Sequence, residues 1–135
     1  MKHELPIKVY YEDTDVAGIV YYANYLKYIE RGRSELVWDA GVDQTEMKEA
    51  GVVFVVRRVE ADYLSPAKFE DDLTVVTEIH PQKGVKLVFD QAVMRGETLL
   101  FKAEITVVCM SLEGKPVRLP DAIWEKMRKF ATPRG

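Results

Sequence analysis

The densest group of chemically capable side chains lies in the run Tyr11-Glu12-Asp13-Thr14-Asp15-Val16-Ala17-Gly18-Ile19-Val20-Tyr21-Tyr22-Ala23-Asn24-Tyr25. Three acids, Glu12, Asp13 and Asp15, precede Gly18, and a helical pattern begins just beyond. A carboxylate held beside an electrophilic carbonyl can attack it or deprotonate a water. A helix N-terminus offers unpaired N–H donors and a partial positive charge, which suit a developing oxyanion. Gly18 lets the backbone turn tightly or come close to a ligand. The same acids have a plainer use, because an Asp ahead of a helix is most often a cap worth about 1 kcal/mol. Spacing alone leaves both roles open.

The elements that must position this loop follow from periodicity. Leu5, Ile7, Val9 and Tyr11 alternate with more polar residues, which predicts a first strand. From Tyr22 to Ala40 the period changes: Tyr25, Ile29, Gly32, Leu36 and Ala40 follow helical spacing, and Gly41 supplies a stop. Gly32 lies on the apolar stripe, which predicts a close approach of helix to sheet. A short second helix is expected over Asp43 to Ala50. Beyond Gly51 the chain reads as strands. Val53, Val55, Arg57, Val59, Ala61 and Tyr63 are expected on one face of the first, with Arg58, Glu60 and Asp62 opposite. Leu73 to Ile79, Leu87 to Val93 and Leu99 to Cys109 alternate likewise, with turns at Pro81–Gly84 and Arg95–Glu97. A terminal helix is expected from Pro120, with Asp121 as its cap and Ile123, Met127 and Phe130 inward. One strand, one long helix and about four long strands make an α+β domain with the helix packed on one sheet face. So few strands leave edges bare, which predicts pairing with a second copy.

Composition bounds the rest. The 135 residues suit one domain, 1–135, and 47% apolar with 30% charged content is that of an ordinary globular chain. A net charge of -3 without a basic tract argues against nucleic-acid binding. The longest apolar run, Val52 to Val56, is far short of the ~20 residues of a membrane span. The N-terminus lacks a signal-peptide core, so a cytoplasmic location is expected. Cys109, the only cysteine, is expected to be a buried structural thiol. No His/Cys/Asp group has metal-ligand spacing, and no metal or cofactor is implied.

The loop motif Asp13-Thr14-Asp15-x-x-Gly18-x-Val20-Tyr21 resembles the signature of the 4-hydroxybenzoyl-CoA thioesterase family, in particular its Tol-Pal-associated acyl-CoA thioesterase branch. Asn24-Tyr25 with Glu30-Arg31-x-Arg33 is similar to that family's helix start, and Val59 to Ala67 to its second block. The resemblance spans about residues 5 to 120. It implies a hotdog fold, an antiparallel sheet wrapped around one central helix, and hydrolysis of acyl-CoA to free acid and coenzyme A. It also implies that Asp15 is the catalytic carboxylate, with Gly18 in its loop and the Tyr22 backbone N–H facing the thioester carbonyl. A thiol leaving group of pKa about 8.5 needs little acid assistance. Asp13 is expected to orient the loop. Glu30 is the rival carboxylate, since some hotdog thioesterases use an acid on the helix, but Arg33 at i+3 points to an ion pair.

One departure stands out. Many close relatives in the Tol-Pal branch carry a histidine where this sequence has Tyr22, whereas the hydroxybenzoyl branch carries tyrosine. His3, expected near a mobile terminus, and His80, at a strand end, are not placed to replace it. Coenzyme A is polyanionic, and Lys83, Lys86 and Arg118 are the candidates to meet its phosphates. Arg57, on an otherwise apolar face, is expected at an edge or paired with an acid. Two other readings stay open: a thioesterase acting on acyl-carrier protein, and a non-catalytic acyl-CoA-binding or assembly protein.

Overall fold

In the computed structural model, which describes residues 1–81 and 84–132, the period-2 segments become five strands. They are β1 (His3–Lys8), β2 (Val52–Tyr63), β3 (Asp72–Ile79), β4 (Lys86–Arg95) and β5 (Thr98–Ser111). They form one antiparallel sheet in the order β1-β3-β4-β5-β2. The long helix is α1 (Asn24–Asp39), followed by α2 (Gln44–Glu49), and α3 (Asp121–Met127) comes after β5, with a 3-10 turn, Arg128–Phe130, beyond it. The expected α+β hotdog architecture is thus present.

Alternation explains why one face is dry. Leu73, Val75, Thr77 and Ile79 of β3 are buried, as are Leu87, Phe89, Gln91 and Val93 of β4. Phe101, Ala103, Ile105, Val107 and Cys109 of β5 complete the layer. Against it α1 buries Tyr25, Tyr28, Ile29, Gly32, Leu36 and Val37, and Gly41, at φ +84°, turns the chain out of the helix.

Gly32 makes the expected close approach. A Cβ built there would sit 2.6 Å from Val75 Cγ1, 3.0 Å from Thr77 Oγ1 and 3.1 Å from Gln91 Nε2. The polar groups beneath it are mutually satisfied, as burial demands. Gln91 Nε2 donates to the Ile29 carbonyl (2.8 Å) and to Thr77 Oγ1 (3.0 Å). Arg33 Nη1 donates to Gln91 Oε1 (2.9 Å).

Several expectations are corrected. β1 ends at Lys8, and Tyr11 lies in a 3-10 turn, Tyr11–Asp13. His3 is not at a loose end: it is buried in β1, 2.7 Å from Asp39 on α1 and edge-on to Phe130. Asp121 is inside α3 rather than capping it, since Pro120 holds the cap position and the Asp121 carboxylate turns toward Arg118. On β2, Val56 pairs with Val107 and Arg58 with Thr106, so Arg57 is an extra, bulged residue. A bulge exchanges the faces beyond it. Phe54 and Val56 therefore share the helix side with Val59, Ala61 and Tyr63, and Val53 and Val55 turn outward. Arg57 looked out of place on an apolar face because that face was counted through the bulge.

Cys109 is fully buried and free, and burial pushes its thiol up to about 11. The thiolate is the reactive form, so native protein at pH 8 should consume no disulfide-type thiol reagent over minutes. Unfolding in denaturant should release one equivalent. Rapid labelling without denaturant would contradict this burial.

Candidate active site

The chain leaves β1 through the 3-10 turn and makes a tight hairpin. Thr14 bridges to Val20, the Asp15 N–H donates to the Ile19 carbonyl (2.9 Å), and the Gly18 N–H donates to the Asp15 carbonyl (3.0 Å). Gly18 sits at φ +79°, a conformation that glycine adopts without a Cβ penalty. Asp15 and Gly18 are both exposed at this tip. The Asp15 carboxylate accepts one local bond, from the Ala17 N–H (2.9 Å).

Asp13 orients the hairpin, as expected. Its carboxylate accepts the Tyr10 N–H (2.8 Å), and its carbonyl accepts both the Tyr21 N–H (2.9 Å) and Asn24 Nδ2 (2.9 Å). Asn24 is the first residue of α1, so hairpin and helix start are tied at one peptide. The buried Tyr28 phenol lies against this hub. Its pKa is raised by burial first and by the Asp13 carboxylate second.

Asp15 does not cap the helix. The cap position is Ala23, with no side-chain cap bond, and among the described residues the Tyr22 and Ala23 N–H groups donate to no protein acceptor. The two amides that lead into α1 are therefore bare, in the state that favours an anionic oxygen, while the Asn24 N–H is taken by the Tyr21 carbonyl. It opens on a cavity of about 320 Å³ lined by Ile19, Val20, Tyr22, Tyr25, Tyr63 and Pro66. The Asp15 carboxylate is not part of this lining; it stands at the hairpin tip whose return arm, Ile19 and Val20, forms one wall.

The opposite wall is held by the segment after β2. Val20 N–H donates to the Ala67 carbonyl (2.8 Å), and Ala67 N–H to the Tyr25 phenol oxygen (3.0 Å). Arg95 clamps the segment from β4 through Asp71 (2.9 Å) and the Pro66 carbonyl (3.2 Å). Burial works to raise the Asp71 carboxyl, but the Lys68 N–H and the Arg95 guanidinium outweigh it and hold the pKa below the ordinary value. A depressed folded pKa contributes stability above the unfolded pKa of about 4 and loses it as pH falls through the folded value. Asp71→Asn should therefore flatten the acid limb of Tm against pH below about pH 4. An unchanged limb would mean that the clamp adds nothing to stability.

Other expected residues stand elsewhere. Lys83 lies outside the described residues. Lys86 pairs across from Val108, seven residues along β5 from the Phe101 partner of Tyr63, or about 23 Å of strand. Arg118 lies 3.8 Å from Asp121 on the surface. Neither Lys86 nor Arg118 lines the cavity. The expected Glu30–Arg33 ion pair is not formed, because Arg33 turns to buried Gln91 while Glu30 accepts the Ser34 hydroxyl (2.8 Å).

Sequence reasoning missed the cavity's far wall. Tyr63 and Tyr25 pack edge to face at 5.5 Å, and Phe101 lies 5.0 Å from each ring. Tyr63 Oη donates to the Tyr22 carbonyl (3.0 Å). The available signal was an aromatic ending an inward-facing strand period just ahead of Ser65-Pro66. On the sheet's outer face, His80, Asp90 and Glu104 bring ligand-type atoms within 4.8 Å of one another. Asp90 is on β4, Glu104 on β5 and His80 just past the end of β3, so no linear spacing announced them. His80 is hydrogen-bonded to Asp90, and the group is on the side of the sheet away from α1.

With this geometry in view, comparison with known proteins is informative. A family model described as Thioesterase-like superfamily matches residues 9–127. The acyl-CoA thioester hydrolase YbgC of Escherichia coli O157:H7 is 42% identical over 120 residues, covering 87% of this chain and 90% of that protein. The acyl-CoA thioesterase YbgC of Haemophilus influenzae is 41% identical over 120 residues, covering 87% and 88%. The crystal structure of a probable thioesterase from Bartonella henselae superposes with a TM-score of 0.84 at 37% identity, covering 89% of this chain and all of that one. By sequence and by fold, the chain belongs to the thioesterase-like superfamily.

Proposed function

We propose that this protein is an acyl-CoA thioester hydrolase in which Asp15 drives attack on the thioester and the bare amides opening α1 receive the oxyanion. The observation that carries the reading is the uncapped helix start facing an aromatic-lined cavity, with a loosely tethered carboxylate on the adjoining hairpin. The similarity to relatives named acyl-CoA thioester hydrolases supports it.

In the general-base form, Asp15 takes a proton from water and the oxygen adds to the carbonyl carbon. The negative oxygen is met by the Tyr22 and Ala23 N–H groups. Collapse breaks the C–S bond, and the coenzyme A thiolate leaves, to be protonated from solvent. In the nucleophilic form, Asp15 itself adds, and water hydrolyses the resulting anhydride. Tyr22 contributes its backbone, so no imidazole is required. Thiol release from an acyl-CoA series, run beside acyl-carrier-protein substrates, tests the reading. No release from any of them, with binding retained, would replace it with a non-catalytic binder.

The working form is an oligomer built on β2. This strand of 12 residues is a sheet edge, and it exposes Val55, Val56, Val59 and Tyr63 by 39–48%. Long apolar edges are pairing sites, whereas the other edge, β1, has 6 residues interrupted by Pro6. A second copy laid along β2 would bring further basic side chains toward the cavity mouth, with Lys83, Lys86 and Arg118 the candidates for the coenzyme A phosphates. The double variant Val56→Asp with Val59→Asp should sediment as a monomer and lose most activity. An unchanged sedimentation coefficient would exclude β2 as the interface. A cytoplasmic location goes with this reading, and the lone free Cys109 agrees with a reducing compartment.

A further inference from the structure

The cavity at the helix start has a second cavity beside it along α1. Between α1 and β2 lies this second, largely apolar cavity of about 340 Å³, lined by Leu26, Ile29, Val56, Val59 and Ile105 with the charged Lys27, Glu30 and Arg33 beside them. The two cavities share no lining residue, although on α1 their walls are one helical turn apart, Tyr25 to Ile29. On β2 they are separated by one inward-facing position, Ala61, which lies between Val59 and Tyr63. Ala61 is too small to close the gap between them.

Tyr63 closes it. Its ring leaves β2 opposite Phe101, packs edge-on against Phe101 at 5.0 Å and Tyr25 at 5.5 Å, and lies 6.3 Å from the Tyr22 ring. Its hydroxyl then reaches the Tyr22 carbonyl at 3.0 Å. The side chain is thus a bar from sheet to helix, latched by a hydrogen bond at the far end. Tyrosine suits this task because the ring fills apolar space while the hydroxyl needs a polar partner.

We propose that Tyr63 is the stop that limits acyl-chain length, keeping the acyl group within the cavity at the start of α1 and out of the second cavity toward Val59. This rests on the acyl-CoA thioesterase reading and adds to it the residue that selects among substrates. With the bar in place, a chain longer than the cavity meets an aromatic wall. With the bar removed, the chain continues over Ala61 to Val59 and Ile105.

The test measures kcat/KM for butyryl-, octanoyl- and dodecanoyl-CoA with wild type, Tyr63→Ala, Tyr63→Leu and Tyr63→Phe. Hydrophobic pockets discriminate roughly tenfold or more per methylene. The dodecanoyl-to-butyryl ratio should therefore rise roughly tenfold or more in Tyr63→Ala and in Tyr63→Leu. Leucine keeps apolar packing if alanine weakens the fold, but it is too short to reach the Tyr22 carbonyl. Tyr63→Phe keeps the ring and loses the latch, so its ratio should change less than that of either truncation. A general weakening of the site would lower all three substrates together and leave the ratio fixed. A fixed ratio in folded Tyr63→Ala or Tyr63→Leu, with wild type active, overturns the chain-length role. Wild type inactive on every thioester would instead overturn the enzyme reading.

Discussion

Asp15→Asn should lose about 10²- to 10⁴-fold in kcat, the range contributed by a positioned general base. Its stability should stay within about 0.5 kcal/mol of wild type, as for an exposed surface substitution. The two outcomes separate because of how the side chain is held. Asp15 is exposed at the hairpin tip, and its one local bond is accepted from the Ala17 N–H. Asparagine presents the same carbonyl oxygen to that N–H, so the turn survives while the charge and basicity vanish. Thiol release and thermal melts on the same preparation read both quantities. Equal rates in variant and wild type would remove Asp15 from the chemistry. Single turnover in ¹⁸O-water then distinguishes the two forms of attack: label enters the Asp15 carboxyl only if that carboxyl forms the anhydride.

Gly32→Val should cost about 3 kcal/mol, at the upper end of overpacking penalties, and lower Tm by roughly 10 °C for a domain of this size. The first added carbon would already stand 2.6 Å from Val75 Cγ1, and the next two have Thr77 and Gln91 on the remaining sides. Neither neighbour can yield cheaply. Val75 is fully buried and stiff at χ1, and Gln91 is fixed by its bonds to Ile29, Thr77 and Arg33. Relief would require α1 to lift off the sheet, and the helix start would move with it. Activity should therefore fall alongside stability, with kcat more affected than KM. A Tm within 2 °C of wild type would show that the helix rests less firmly on β3 and β4 than the packing implies.

These two residues mark what could be read in advance and what could not. Gly32 was legible because a glycine on an apolar helical stripe has few uses other than close approach. Asp15 was legible as a candidate because acids, glycine and helix start fall within one short segment, where chain connectivity alone keeps them together. Tyr63 was not legible. Its importance comes from reaching a carbonyl 41 residues away, and nothing at position 63 indicates which peptide it will meet. Arg57 misled for a related reason, since a single bulged residue reverses the parity of everything after it and leaves no mark in composition.

Sequence alone determined the number, kind and order of the main elements, the dry face of β3, β4 and β5, and the loop that carries Asp15. All of these depend on local period and on neighbours within a few residues. Tertiary structure decided which helix-start amides remain bare, how β2 is phased past its bulge, where the aromatic bar stands between the two cavities, and that Arg33 serves Gln91 rather than Glu30. Those outcomes are set by contacts between segments distant in the chain, where shifts of a few ångströms decide which donor meets which acceptor.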